Sequence, residues 1–243
     1  MPLRGEVPLS GERSLSVAVA QPRCVPYDVR ANAVAHAAAV RAAAGARVVV
    51  FPEMSLTGYH LDAAPVPPDD ERLAPLVAAC AETGAVALAG APVPGPRIGV
   101  LAVAGDGARV AYGKVHLHES EAARFVPGEP AVTEVDGWRL GLAVCRDTGV
   151  PEHAARTAAL GMDAYVAGVV HAGHESALHA TRARRVAATH AVWTATAAFA
   201  GPTGEGFGRT SGRSALWSPH GRLLAETGPA PGAFARASFT RRP

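Results

Sequence analysis

Cys145 closes a short apolar run, Leu140-Gly141-Leu142-Ala143-Val144, and is followed by Arg146-Asp147 and then Pro151-Glu152. This order predicts a buried strand that delivers one thiol at its exit, a place suited to a nucleophile. Two other segments are built alike. Val48-Val49-Val50-Phe51-Pro52-Glu53 carries a carboxylate off the end of a strand, and Val110-Ala111-Tyr112-Gly113-Lys114 carries an ammonium. A thiolate attacks an acyl carbon well and leaves a thioester that water can open. A free thiol titrates near ~8.5, so it needs a neighbouring cation, a base or the start of a helix to activate it. Glu53 could take the thiol proton, donate it to a departing amine, and then take a proton from the hydrolytic water. Lys114 and the backbone N–H of Arg146 could together hold the oxyanion formed in between.

The segments also match an ordered set of motifs. The first reads Phe51-Pro52-Glu53-Met54-Ser55-Leu56-Thr57-Gly58-Tyr59, and the second Tyr112-Gly113-Lys114-Val115-His116-Leu117 with Phe125-Val126-Pro127-Gly128 after it. The third is Gly141-Leu142-Ala143-Val144-Cys145-Arg146-Asp147, then Pro151-Glu152 and Arg156, and a late Gly212-Arg213-Ser214 run leads to Ser218-Pro219-His220-Gly221. With these in order from about Ser14 to Glu226, the chain resembles the nitrilase superfamily of carbon-nitrogen hydrolases. The resemblance implies an α/β fold, the four-layer α-β-β-α sandwich of that superfamily, and catalytic roles for Glu53, Lys114 and Cys145. It also implies a second glutamate ahead of the Phe-x-Pro-Gly segment, orienting the lysine or the substrate nitrogen. Glu121 matches that place and Glu119 competes with it. No cofactor or metal is implied; the partners expected are a small amide and water, in at least a homodimer formed through the outer helices.

Three features depart from the family pattern. Arg146 stands after the nucleophile where an aromatic or amide residue is common. The strand Tyr165 to Val170 ends in Gly168-Val169-Val170-His171 where many relatives have a Pro-Ala-x-Trp type segment, and Arg184-Arg185-Val186-Ala187-Ala188-Thr189-His190 replaces an Arg-Ala-x-Glu-Asn pattern. Substrate-binding candidates are therefore Arg146, His171 and Tyr59, and a guanidinium beside the thiol would favour an acidic substrate. Against that stands a plainer reading, in which Arg146 turns away to pair with Asp147 or Glu152. His116 and His118 share a face if their segment is extended, but without a third ligand they are read as ordinary polar residues.

These groups need rigid carriers. Leu15 to Gln21 reads as a strand, Asp28 to Ala44 as a helix between an Asp N-cap and Gly45, and Val48 to Phe51 as a strand. Pro68 to Thr83 is expected to be helical and Val86 to Ala89 a strand. Ile98 to Ala104 and Arg109 to Tyr112 form a hairpin about Gly105-Asp106-Gly107. Helical signals return at Pro151 to Leu160 and Glu175 to His190, and strand signals at Ala191 to Ala198, Ser214 to Trp217 and Leu223 to Glu226. Residues 1–13 are expected to be a poorly ordered lead-in, and 14–243 a single domain.

Composition sets the outer limits. The chain has 243 residues, 49% of them hydrophobic but only 5% aromatic, so its core must be packed from Ala, Val and Leu at close approach. The net charge of +2 carries no basic stripe, which argues against nucleic acid. No apolar run is long enough for a bilayer, and the N-terminus lacks a signal-type apolar region, so a cytoplasmic protein is expected. Cys24, Cys80 and Cys145 form no metal or redox spacing, and the first two are read as inert. Hydrolysis of a small amide or carbamoyl compound leads. Nitrile hydrolysis by the same triad, a catalytically silent regulator and a redox sensor at Cys145 are the alternatives.

Overall fold

Residues 13–241 are described by the structure, a computed structural model, so the expected lead-in lies outside the described residues except for Arg13, which opens the first strand. Two six-stranded sheets face each other. In the first, β1 (Arg13–Gln21), β2 (Val48–Val50) and β3 (Val86–Val93) run parallel. β4 (Arg97–Ala104) and β5 (Gly107–Gly113) extend one side antiparallel, and β12 (Ala233–Arg241) pairs antiparallel with β1 on the other. The second sheet is built on the same plan. β7 (Trp138–Val144), β8 (Ala164–Val169) and β9 (Trp193–Ala198) are parallel, flanked by β6 (Val132–Val135) and by β10 (Ala215–Trp217) with β11 (Leu223–Glu226).

β1 shows why both faces must be covered. Val17 and Val19 enter the core shared with β7, β8 and β9, whereas Ala18 and Ala20 face α1 (Val29–Ala42) and α2 (Ala74–Thr83). Large branched residues thus fill the space between the sheets, and alanines let helices lie close on the outside. That division is how a chain with few aromatic residues closes its core. On the other outer face lie α4 (Pro151–Ala159) and α5 (Leu178–His190), with Ala183 of α5 packed on Ala215 and Trp217. Layer by layer the molecule reads helix, sheet, sheet, helix.

Most predicted elements are present with shifted ends. Asp28 caps α1, its side chain accepting the Ala31 N–H. The helix expected from Pro68 starts later, with a 3₁₀ turn at Glu71–Leu73 before Ala74, and the one expected from Glu175 starts at Leu178. Three elements went unassigned: β6, β12 and the single turn α3 (Glu119–Ala122). In β12 the inward side is mostly alanine, so the alternation that marks a half-buried strand is nearly invisible.

Candidate active site

Each of three chemically capable groups leaves the end of a strand: Glu53 follows β2, Lys114 follows β5, and Cys145 follows β7. All three are buried, at 1%, 0% and 6% exposure. The Lys114 Nζ donates to Glu53 Oε1 at 2.7 Å and to Glu121 Oε1 at 2.6 Å. The structure therefore brings Glu121, not the exposed Glu119, to the lysine. The α3 turn does this: the His118 N–H donates to Glu121 Oε2 at 2.8 Å, and the Tyr59 hydroxyl donates to Oε1 at 2.6 Å. Tyr59 is in turn packed edge-on against Phe207.

Environment separates the two glutamates. Burial, the largest influence on Glu53, pushes its carboxyl well above the usual range; Lys114 opposes the rise, while Cys145 and Glu121 add to it. For Glu121 burial also acts upward, but the Lys114 charge and the hydrogen bonds from Lys114, Tyr59 and His118 outweigh it and hold the carboxyl low. Burial pulls Lys114 down, and the charges of Glu53, Cys145 and Glu121 more than reverse that. The pair thus has one carboxyl suited to exchanging a proton and one suited to staying ionised. Glu53 Oε2 is buried and without a hydrogen-bond partner, leaving that oxygen free for the exchange.

Two glycines allow Glu53 its place. A Cβ on Gly168 of β8 would lie 2.5 Å from the Phe51 carbonyl oxygen and 2.9 Å from the Glu53 nitrogen, and one on Gly90 of β3 would lie 2.5 Å from the Met54 nitrogen. The segment Phe51 to Met54 is therefore gripped between strands of both sheets, which only hydrogen at these positions permits. His36 steadies the next residue, its Nε2 2.8 Å from the Ser55 hydroxyl and its Nδ1 2.7 Å from the Asn32 carbonyl.

Cys145 sits at φ 41°, in the left-handed region, on a tight turn after β7. Such conformations are costly for a residue with a side chain and are held only by their surroundings. Here Thr148 Oγ1 donates to the Cys145 carbonyl at 2.6 Å, and Arg185 donates to the Thr148 carbonyl at 3.0 Å. Asp147 joins the thiol turn to the lysine strand. Its carboxylate accepts the Val144 N–H at 3.0 Å, the His116 N–H at 2.8 Å and the Tyr112 hydroxyl at 2.7 Å, with His153 lying between Tyr112 and Tyr165. The thiol itself is 3.2 Å from the Val170 carbonyl and 3.9 Å from His171 Nε2. Burial pushes the other two thiols up, Cys24 to about 12 and Cys80 to about 11.

A family model for carbon-nitrogen hydrolases matches residues 16–232, nearly the whole described chain. The chain belongs to the carbon-nitrogen hydrolase family. A curated relative from Pseudomonas protegens, named only as a hydrolase in the pqqF 5′ region, is 31% identical over 171 residues, which are 64% of this chain and 59% of that protein. The matched stretch thus spans about three fifths of that relative's length. Among solved structures, an amidase from Nesterenkonia sp. AN1 is 26% identical over 91% of this chain and 92% of its own, with a TM-score of 0.79. That amidase has been seen with acrylamide added to its active-site cysteine and, as a cysteine-to-alanine variant, in complex with butyramide. Nit3 of Saccharomyces cerevisiae, of the nitrilase superfamily, is 22% identical over 93% of this chain and 89% of its own, with a TM-score of 0.79, and shares the fold.

Within the family frame the remaining candidates separate. His171 is buried beside the thiol, and burial followed by the Arg182 charge lowers it to about 4, so its ring is neutral. Arg146 is exposed and pairs with neither Asp147 nor Glu152; its NH1 donates to His118 Nδ1 at 3.0 Å. His116 and His118 take different partners, His116 lying edge-on to His153. The residues that sequence reasoning missed are Asp147, Tyr112, His153, the two strand glycines and Arg182. For Arg182 a signal was present: His179, Arg182 and Val186 recur at helical spacing on one face of α5. No helix among the described residues is long and apolar enough to cross a membrane.

Proposed function

We propose that the protein hydrolyses the C–N bond of a small amide or carbamoyl compound through a thioester on Cys145. The observation that carries this reading is the convergence of Glu53, Lys114 and Glu121 in one buried hydrogen-bonded cluster, with the buried Cys145 on a turn that Asp147 ties to the segment following Lys114. Glu53 takes the thiol proton as sulfur attacks the carbonyl carbon, and the carbonyl oxygen becomes an oxyanion facing Lys114 and the Arg146 N–H. The C–N bond then breaks, and Glu53 passes the proton to the leaving nitrogen. Water adds to the thioester, giving one proton to Glu53; the C–S bond breaks and the proton returns to sulfur. The sum is amide plus water to carboxylic acid plus ammonia or amine.

Glu121 keeps Lys114 charged and aimed, and Tyr59 and the His118 N–H hold Glu121 in place; we read Tyr59 as acting through Glu121. The adducts on the active-site cysteine of the Nesterenkonia amidase support assigning the nucleophile to Cys145. The test is ammonia release from paired small amides and nitriles by the native protein and by Cys145→Ala. Release from amides that vanishes in Cys145→Ala is expected. Release from nitriles alone would move the reading to a nitrilase, and no release from either would leave a non-hydrolytic member of the family.

A further inference from the structure

The chain between β9 and β10 meets the site at two places. On its way out it receives the Tyr59 N–H on Thr203 Oγ1 at 2.8 Å and the Leu61 N–H on Glu205 Oε1 at 3.2 Å. On its way back the Ser211 N–H donates to the His171 carbonyl at 2.9 Å, and the Arg209 carbonyl accepts the Gly173 N–H at 3.0 Å. Tyr59 leads through Glu121 to Lys114, and His171 Nε2 lies 3.9 Å from the Cys145 Sγ and 3.3 Å from Arg182 NH1. One loop is thus fastened to the glutamate and lysine side of the site and also to the thiol side.

The outgoing part is a knot tied on itself. The Thr203 N–H donates to the Phe207 carbonyl at 2.9 Å, the Phe207 N–H to the Gly204 carbonyl at 3.1 Å, and Thr210 Oγ1 to the Gly201 carbonyl at 2.6 Å. These bonds set two side chains on one residue: Thr203 holds the Tyr59 backbone, and Phe207 meets the Tyr59 ring edge-on with centroids 5.7 Å apart. Gly204 lets the knot lie flat, since a Cβ there would stand 2.5 Å from His60 Nδ1 and run into the Tyr59 carbonyl oxygen.

Tyr59 needs such a seat. The chain enters it from Gly58 at φ 80°, and its hydroxyl is the far end of a long side chain, so a small turn of the backbone moves that oxygen most. The oxygen donates to Glu121 Oε1, the same atom that receives Lys114. An aim lost there reaches the ammonium that faces the oxyanion, and misplacing a reacting group by ~1 Å costs about a hundredfold in rate.

We propose that Thr203 and Phe207 are positioning residues for the hydrolysis: they hold Tyr59 so that its hydroxyl keeps Glu121 on Lys114. This rests on the amidase reading above and adds to it a loop that touches none of the reacting atoms.

The test is a double-mutant cycle on ammonia release from a small amide. Tyr59→Phe should lower kcat by about tenfold or more, the worth of a hydrogen bond to a charged group. Thr203→Val and Phe207→Leu should each lower kcat, with KM little changed, by about threefold to tenfold. In the Tyr59→Phe background the same changes should cost less than about twofold, because the hydroxyl they aim is already gone. Thr203→Ser keeps the acceptor and should restore native kcat, and thermal unfolding of each variant checks that it is folded. Fluorine NMR of protein carrying 3-fluorotyrosine reads the seat without turnover. The chain has four tyrosines, so the Tyr59 signal is the one that Tyr59→Phe removes, and Thr203→Val should shift or split it while leaving that of Tyr165 in place. Equal losses of kcat in both backgrounds, or native kcat with an unmoved Tyr59 signal in Thr203→Val and Phe207→Leu, overturn the inference and leave the amidase reading standing. A Tyr59 signal that moves with Thr203, in a protein that hydrolyses no amide, upholds the seat and sinks the amidase reading instead.

Discussion

Gly168→Ala should damage the site from a distance. The added Cβ would stand 2.5 Å from the Phe51 carbonyl oxygen, about 0.9 Å inside the 3.4 Å at which ordinary contact begins, and 2.9 Å from the Glu53 nitrogen. Those atoms are backbone, so no side chain can swing aside; β8 or the Phe51 to Glu53 segment must move by several tenths of an ångström. Gly90 of β3 presses the same segment from the other sheet, which blocks an easy retreat. Overpacking of this kind costs about 1–3 kcal/mol, or a Tm fall of roughly 2–4 °C per kcal/mol in a chain of this size. A reacting group displaced by ~1 Å loses about a hundredfold in rate, so kcat should fall by roughly tenfold to a hundredfold while the protein stays folded. The assay is ammonia release alongside thermal unfolding, with Gly228→Ala as control because nothing lies within 4 Å of the Cβ it would add. If Gly168→Ala lowered Tm but left kcat within threefold of native, the claim that this close approach positions Glu53 would be refuted.

Other expectations are simpler to read. Lys114→Met should reduce kcat by about a hundredfold or more and also destabilise the fold by roughly 3–5 kcal/mol, because Glu53 and Glu121 lose their buried cation; near-normal kinetics would show that the cluster was misread. Glu121→Gln should slow turnover and Glu119→Gln should not, since only Glu121 touches Lys114; the reverse order would reassign the second glutamate. Burial lowers His36 from 6.5 to about 4, and His171 and His179 likewise, so between those pH values the unfolded chain binds protons that the folded chain refuses. Stability is then complete above about pH 6.5 and is lost as pH falls toward about 4; Tm measured across that window should decline, and less steeply in His36→Gln, whereas parallel slopes would remove His36 from the account.

Much of the site was legible because strand exits announce themselves: an apolar run ending in Glu53 or Cys145 needs only local pattern to be read. Lys114 was legible for the same reason, at the end of a hairpin strand. Glu121 could be placed only by resemblance, since a single helical turn such as α3 has no periodicity to detect. What stayed hidden depends on pairs of residues far apart in the chain. Asp147 acquires meaning only when Tyr112, His116 and His153 arrive from other elements, and Gly168 only when the Phe51 to Glu53 segment that follows β2 comes against it from the opposite sheet. Arg182 lay unnoticed in a basic helix until the fold laid it beside Gly149 and His171. The same holds for β12, whose alanines become a strand face only against β1.

The most direct test of the account is whether an acyl group passes through Cys145. The protein should be mixed with a small amide, quenched in acid within the first turnover and digested for mass spectrometry. An increment equal to the acyl fragment is predicted on the peptide holding Cys145, none on Cys24 or Cys80, and neither increment nor ammonia release in Cys145→Ala. Continued hydrolysis by Cys145→Ala, or an acyl group found on another residue while Cys145 stays bare, would contradict it.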